Sequence, residues 1–186
     1  MTARGPVPLN RPTAPLGVQN AVLRARARTH SVKEFPGPLS IKSVTEGAVA
    51  WKVSGRDLLV DPGSFLVLNQ DEPYSMEIDS RTPVATLCVF FQRGFVDSVA
   101  GSLTSEEIEP GGGSAPLLPR LHAADGSILP RMRAIAEARD ACGLWLDEQF
   151  LGLAQDLVLL DRGARRRVQT LPARRRATRE ELFRRV

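Results

Sequence analysis

Between Gln19 and Phe91 the chain consists of short strand-like segments separated by turns. The segments NAVLRARART and EPYSMEID alternate apolar with polar residues, which is typical of a strand with one buried face. The segment VATLCVFF is apolar throughout, as expected of a strand that is covered on both faces. Glu46-Gly47 and the segment SGRD supply tight turns. Short strands at this even spacing predict an antiparallel sandwich or barrel.

After Phe91 the apolar pattern changes to a helical one, first in RGFVDSVAGSL and then from Ser127 to Cys142. A third helix is predicted from Leu144 to about Arg162. It is apolar on most sides, which indicates that it is covered on more than one side. We predict that one of its faces contacts a second subunit through Leu146, Phe150, Leu153 and Leu157. The alternative is that this helix lies in the middle of its own domain.

The basic charge is concentrated at the C-terminal end. Residues 162–186 contain 10 arginines and two glutamates, a net charge of +8, whereas residues 1–161 contain 15 basic and 19 acidic residues, a net charge of −4. A localised basic segment indicates proximity to nucleic acid. The alternatives are a solvated helix face or a linker.

The sequence predicts a cytoplasmic protein with no membrane partner. No apolar run approaches the roughly 20 residues that span a bilayer. The Pro-rich N-terminus lacks the apolar region of a secretory signal. The two cysteines, Cys88 and Cys142, form no metal or redox motif, so we expect both to be reduced.

A small all-β barrel also raises the hypothesis of a metal-dependent cupin enzyme. Such barrels hold their metal with a His-x-His pair, a glutamate and another histidine. This chain has two histidines, His30 after the first predicted strand and His122 in a predicted loop, without ligand spacing. Tyr74 occupies the place where the second cupin motif would supply its last histidine. No nucleophile motif is present. We predict no metal, no other cofactor and no catalytic residue.

Alternation along the strands also predicts which side chains face the interior of the barrel. Trp51 and Tyr74 each combine an aromatic ring with a polar atom that needs a partner when buried. A basic side chain at the mouth could meet an anion. An apolar cavity with a few polar groups is typical of small-molecule sites. The candidate ligand-binding residues are Trp51, Tyr74, Met76, Arg28, Lys42, Cys88 and Phe90. The alternative is that they only fill the core.

Two segments carry a resemblance to a known family. The last nine residues, TREELFRRV, place Thr178 and Glu181 at capping-box spacing, which predicts the start of a helix. The longer segment LPARRRATREELFRRV resembles the connector that enters the DNA-binding domain of AraC-family transcription regulators. The segment SVTEGAVAWKVSGRDLLVDPGSFLVLNQDEPYSMEID resembles the cupin-type sensor sheet of one bacterial subgroup. The resemblance extends over about residues 24–186.

The resemblance implies an α+β fold, in which a cupin-like antiparallel β-barrel or jelly roll is followed by a helical hairpin. It implies a homodimer that senses a small-molecule effector in a metal-free barrel. DNA would be contacted only through a C-terminal helix-turn-helix domain that we expect to be missing from this chain. The alternatives are a dimerisation module without a ligand and a metal-dependent cupin enzyme.

The expected organisation has four parts. Residues 1–17 form a disordered N-terminal arm, and residues 18–161 form the sensor and dimerisation domain, with the barrel at 18–91 and the helices at 92–161. A basic linker follows at 162–177. Residues 178–186 are the start of the absent DNA-binding domain.

Overall fold

The computed structural model describes residues 7–8, 14–103, 121–123, 126–138 and 142–170. The helix start predicted at Thr178 lies outside these residues. The strands are β1 (Val7–Pro8), β2 (Ala21–Pro36), β3 (Ser40–Glu46), β4 (Val49–Val53), β5 (Arg56–Val60), β6 (Ser64–Leu68), β7 (Pro73–Phe90) and β8 (Leu121–Ala123). The helices are α1 (Phe95–Ser102), α2 (Ile128–Glu137) and α3 (Gly143–Thr170).

Two long strands, β2 and β7, organise the barrel. They pair antiparallel with each other, and β7 also pairs with β3 along its C-terminal half and with β4 along its N-terminal half. The strand order is β1-β2-β7-β3-β6-β8, and β5 pairs with β4. The paired strands β2 and β7 thus join the part of the sheet that contains β3 to the part that contains β4. The sheet curves between these two parts into a nearly closed antiparallel barrel.

An irregularity in the β2–β7 pairing lets both strands bend between the part of the barrel that contains β3 and the part that contains β4. The register shifts between the pairs Ala27↔Val84 and Thr29↔Asp79, which leaves extra residues on β7. Pro83 is among them, and its missing N–H therefore removes no hydrogen bond from this ladder. For this reason EPYSMEID and VATLCVFF, predicted as two strands, are parts of one strand of 18 residues.

The sheet has an apolar cluster on each of its faces. Leu87 and Val89 of β7 pack with residues of the three helices on the outer face of the barrel. Val84 of the same strand belongs to a second cluster inside the barrel. The prediction that VATLCVFF is covered on both faces is confirmed. Side chains of this strand therefore alternate between the barrel interior and the helical layer.

Helix α3 places its most apolar face in the chain's own core. The four residues predicted to contact a second subunit are 4, 2, 0 and 1% exposed, in the order Leu146, Phe150, Leu153 and Leu157. All four belong to the cluster between the helices and the barrel. Their predicted role at a subunit interface is therefore corrected to a role in the core, because the barrel and the other helices already cover them.

Regular structure extends beyond both predicted ends of the domain, whose bounds stay a prediction. Val7–Pro8 pair with Arg24 and Leu23 at the edge of the sheet, inside the arm predicted to be disordered. Proline is compatible with an edge strand, where one side of the backbone needs no partner. Helix α3 continues to Thr170, so residues 162–170 of the predicted linker are helical. Within the described residues, no helix, α3 included, is long and apolar enough to cross a membrane.

Candidate functional site

A cavity of about 230 Å³ lies inside the barrel. It is lined by six of the seven side chains predicted to bind a ligand: Lys42, Trp51, Tyr74, Met76, Cys88 and Phe90. These residues come from β3, β4 and β7. The other lining residues are Leu16, Leu23, Ala25, His30, Val32, Phe35 and Thr86. The strand alternation seen in the sequence thus brings most of the candidate residues to one place.

Arg28 is the candidate that the structure places elsewhere. Leu23 and Ala25 line the cavity, but the pairing of β2 is irregular just after Ala27. Before that point the odd-numbered residues of β2 line the cavity, whereas directly after it the even-numbered His30 does. Arg28 is exposed to solvent. Its predicted contact with a ligand is corrected to a surface position, because Arg28 lies at the irregular point of β2, between the pairs Ala27↔Val84 and Thr29↔Asp79, and faces solvent there.

Lys42 is the most unusual side chain of the cavity, since it is a lysine that is only 1% exposed. Its Nζ donates a hydrogen bond to the Tyr74 hydroxyl at 3.2 Å. The same nitrogen lies 3.7 Å from the centre of the Phe90 ring and 4.6 Å from that of Tyr74. Burial lowers the pKa of Lys42 from 10.5 to about 8, with Cys88 acting in the opposite direction. Lys42 therefore remains largely protonated at neutral pH.

Tyr74 and Cys88 flank Lys42 and are both neutral at pH 7. Burial raises the pKa of the Tyr74 phenol, and the nearby Cys88 raises it further. Burial also raises the pKa of the Cys88 thiol, although Lys42 and the backbone of Ser43 oppose this effect. Phe35 packs edge-on against Tyr74, with ring centres 5.8 Å apart. The cavity thus contains a cation beside two uncharged polar groups.

Trp51 and Met76 form an apolar wall of the cavity. They are directly paired across β4 and β7. Trp51 is 1% exposed, and its ring packs in the interior cluster together with Tyr74 and Met76. These large side chains are fixed by the regular β4–β7 ladder, so this wall is preformed. It offers an apolar, partly aromatic surface to whatever occupies the cavity.

The two histidines occupy different parts of the fold. His30 lies within β2, which continues well beyond the strand predicted there, and it lines the cavity. His122 lies on β8 rather than in a loop, and its ring stacks on Phe65 with centres 4.8 Å apart. Within the part of the chain that the structure describes, no group of three or more His, Cys, Asp or Glu side chains is arranged to hold a metal ion.

The sequence missed several lining residues for identifiable reasons. His30 follows the irregularity in β2, which simple alternation does not anticipate. Leu16 comes from the segment predicted to be disordered. Thr86 could have been found, because it alternates with Cys88 and Phe90 on the same face of β7.

Residues 20–153 match the model of a protein family described as the AraC-like ligand binding domain. The chain belongs to this family. The match includes strands β2 to β8, helices α1 and α2 and every residue that lines the cavity except Leu16, so the cavity lies in an AraC-like ligand-binding domain. The resemblance found in the sequence is thereby confirmed, as is the association with transcription regulation. The α+β class and the cupin-like barrel followed by helices are confirmed as well.

Similar solved structures include several cupin proteins. The Cupin_2 domain of an XRE family transcriptional regulator from Enterobacter cloacae is 16% identical, with a TM-score of 0.39, over 48% of this chain and 97% of that one. A putative mannose-6-phosphate isomerase from Ralstonia eutropha is 16% identical, with a TM-score of 0.40, over 47% and 82%. A cupin 2 conserved barrel domain protein from Salinispora arenicola is 14% identical, with a TM-score of 0.40, over 50% and 79%. A search of curated proteins found no match.

Proposed function

We propose that this AraC-like domain is a sensor rather than an enzyme, and that it binds a small organic effector in the cavity of its metal-free barrel. The observation that carries the proposal is the composition of the cavity. A largely apolar and aromatic lining surrounds a few polar groups, among them those of Lys42, Tyr74 and Cys88. This is the usual composition of a small-molecule site, in which apolar contacts supply affinity and polar groups fix orientation.

The strand β7 offers a physical route from the cavity to the helices. Thr86, Cys88 and Phe90 line the cavity, whereas Leu87 and Val89 pack against the helical layer. A ligand that shifts this strand therefore also shifts the packing of the helices. Occupancy alone does not produce a signal, because the effector must bind two states of the domain with different affinities.

A second link joins the barrel to α2. The side chain of Arg24 on β2 donates a hydrogen bond from Nη1 to the carbonyl oxygen of Ala136 near the end of α2, at 2.7 Å. Leu23, the preceding residue, lines the cavity. In the regulator, we infer that these contacts pass the ligand-bound state to a helix-turn-helix domain that follows α3 and contacts DNA in the cytoplasm.

We further propose that the domain forms a homodimer through the outer face of α3. Leu144, Leu151 and Leu159 are 72, 45 and 58% exposed. Their spacing of seven and eight residues places them on one side of the helix. This face replaces the buried face that the sequence indicated. Three exposed leucines on one side of a helix that otherwise packs against its own domain offer a contact to the same helix of a second copy.

The dimer proposal predicts that Leu151→Glu weakens association of two subunits by at least about tenfold, because the contact would bury an unpaired carboxylate. Leu59→Glu is the control, since Leu59 is 61% exposed but lies on β5. Sedimentation equilibrium of wild type and both variants measures the association. A Leu151→Glu protein that associates as tightly as wild type would contradict this interface.

The effector proposal predicts that filling the cavity abolishes binding. Ala25 lines the cavity, so Ala25→Leu should weaken binding of any cavity ligand by at least about tenfold through steric overlap. Ala50→Leu is the matched control, because Ala50 is an exposed residue on β4. Ligands are first found by thermal shift with a panel of small organic acids and their neutral amides, and affinities are then measured by calorimetry.

The outcome separates a sensor from a dimerisation module. Ligands that bind wild type and the control but not the cavity-filled protein support the sensor. If every compound that stabilises the wild type binds Ala25→Leu equally well, the cavity is not the binding site. Retained dimerisation without any cavity ligand would favour a module that only joins two subunits.

A further inference from the structure

The cavity contains a positive charge that the described part of the chain does not neutralise. Lys42 is enclosed by the barrel, and no aspartate or glutamate is among the residues that line the cavity. The groups that can titrate around it are His30 from β2 and Tyr74 and Cys88 from β7. None of these carries a negative charge at neutral pH, because burial keeps the pKa values of Tyr74 and Cys88 above their ordinary ranges.

The contacts of Lys42 hold its charge in place without satisfying it. An ammonium group has three N–H donors, and one of them reaches the Tyr74 hydroxyl. The faces of Phe90 and Tyr74 attract the cation through their ring electrons. An aromatic face carries no net charge, however, so the cavity as a whole remains positive. A buried charge normally has an anionic partner.

The walls of the cavity restrict what kind of molecule can pair with Lys42. Trp51, Met76 and Phe90 present apolar surface next to the ammonium group. A polyhydroxylated neutral molecule would leave hydroxyl groups without partners against this surface. A cation would be repelled by Lys42. The volume of about 230 Å³ corresponds to on the order of eight water molecules at roughly 30 Å³ each, which suits a compact organic molecule.

We propose that the effector is a compact apolar organic acid whose carboxylate pairs with Lys42 and whose hydrocarbon body lies against Trp51, Met76 and Phe90. This inference rests on the proposed function of the cavity and adds the chemical class of the ligand. The carboxylate accepts hydrogen bonds from the remaining N–H donors of Lys42. Such charge-assisted bonds are stronger than those between neutral groups, so Lys42 discriminates an acid from a neutral molecule of the same shape.

The test compares acids with neutral molecules of matched size. The probes are phenylacetate with phenylacetamide, and octanoate with octanamide, so that both an aromatic and an aliphatic body are represented. Calorimetry measures their affinities for the full chain and for Lys42→Met, which keeps an unbranched side chain without the charge. We expect each acid to bind wild type at least about tenfold more tightly than its amide, and this preference to be lost in Lys42→Met.

A pH series separates a direct charge interaction from a structural effect of the substitution. Because the protonated form of Lys42 binds the acid and its pKa is about 8 in the empty cavity, acid affinity for wild type should fall roughly tenfold between pH 7 and pH 9. Affinity for the amides should stay constant over this range. Acid affinity for Lys42→Met should also stay constant, because the variant has no ammonium group to titrate.

Two contrary results have different meanings. If amides bind wild type as tightly as acids, and Ala25→Leu abolishes both, the cavity remains an effector site but the selection of an acid is refuted. If neither acids nor amides bind wild type at millimolar concentration, the organic-acid proposal is refuted. If the remaining compounds of the panel also fail to bind, the proposed sensor function fails with it.

Discussion

Replacing Lys42 with methionine should raise the free energy of unfolding at pH 7 by about 2 kcal/mol. The shift of the Lys42 pKa from 10.5 to about 8 corresponds to about 3 kcal/mol by which burial disfavours the charged lysine at pH 7. The substitution also removes the hydrogen bond to the Tyr74 hydroxyl, which offsets about 1 kcal/mol of this gain in stability. Urea unfolding followed by circular dichroism measures the difference, in the absence of ligand.

The difference in unfolding free energy between Lys42→Met and wild type should depend on pH. The pKa of Lys42 is lower in the folded state than in the unfolded state, so the unfolded state binds more protons between pH 8 and 10.5. The lysine therefore destabilises the wild type fully below pH 8 and progressively less as the pH rises to 10.5. The advantage of Lys42→Met should shrink by about 2 kcal/mol between pH 7 and pH 9.5.

Lys52→Met is the control for this prediction. Lys52 lies on β4 and is exposed, so its replacement should change the unfolding free energy by less than about 0.5 kcal/mol at any pH in this range. The raised pKa values of Cys88 and Tyr74 lower the stability of both proteins at high pH. Loss of Lys42 also removes the interaction that lowers the pKa of Cys88, which acts in the same direction as the predicted shrinking of the advantage. A Lys42→Met protein that is less stable than wild type at pH 7 would contradict the view that the buried charge of Lys42 is uncompensated.

Truncating Leu153 to alanine should lower the free energy of unfolding by about 3 kcal/mol or more. Leu153 is 0% exposed in the cluster between α3 and the barrel. Its loss removes apolar contacts and leaves a cavity that the surrounding side chains fill only in part. Leu59→Ala, on a residue that is 61% exposed on β5, should cost less than about 1 kcal/mol.

The same pair of variants distinguishes a core residue from an interface residue. Denaturant unfolding and sedimentation equilibrium are measured on the same samples. If Leu153 belongs to the core, folding stability falls while the folded protein shows the association constant of wild type. A Leu153→Ala protein with unchanged folding stability but weaker association would contradict the core assignment. It would support the subunit interface that the sequence predicts for this residue.

The regular strands are where sequence and structure agree. Trp51, Tyr74 and Met76 lie on the uninterrupted ladder between β4 and β7. Side chains of a strand point alternately to its two faces, so the residue pattern was sufficient to place these three together. Lys42 was found in the same way on β3, although its full burial and its contacts with two aromatic rings depend on tertiary packing.

Alternation fails where a strand is irregular. A shift by one residue moves every following side chain to the other face, and the irregularity after Ala27 does this on β2. It explains why His30 was not predicted to line the cavity. Arg28 was predicted for its charge alone, although alternation sets it on the face of β2 opposite to Leu23 and Ala25. The residues of β2 near Ala27 include no glycine or proline, and the signal lies on the partner strand, where Pro83 is among the extra residues of β7.

Helix α3 illustrates a different limit of sequence reasoning. The stripe that contains Phe150 and Leu153 was predicted to contact a second subunit, whereas it lies in the chain's own core. Periodicity shows that a face is covered but does not identify what covers it. The covering surface is the outer face of the barrel, which is assembled from strands that are distant in sequence. The less continuous stripe with Leu151 was consequently not singled out, although it is the exposed one.

The most direct test of the effector site is native mass spectrometry of the purified protein, with metal analysis of the same sample and extraction of small molecules after unfolding. The account predicts a dimer that carries one small organic acid for each chain and no stoichiometric transition metal. One tightly bound transition metal for each chain, without an organic ligand, would contradict the account and favour a metal-dependent cupin enzyme.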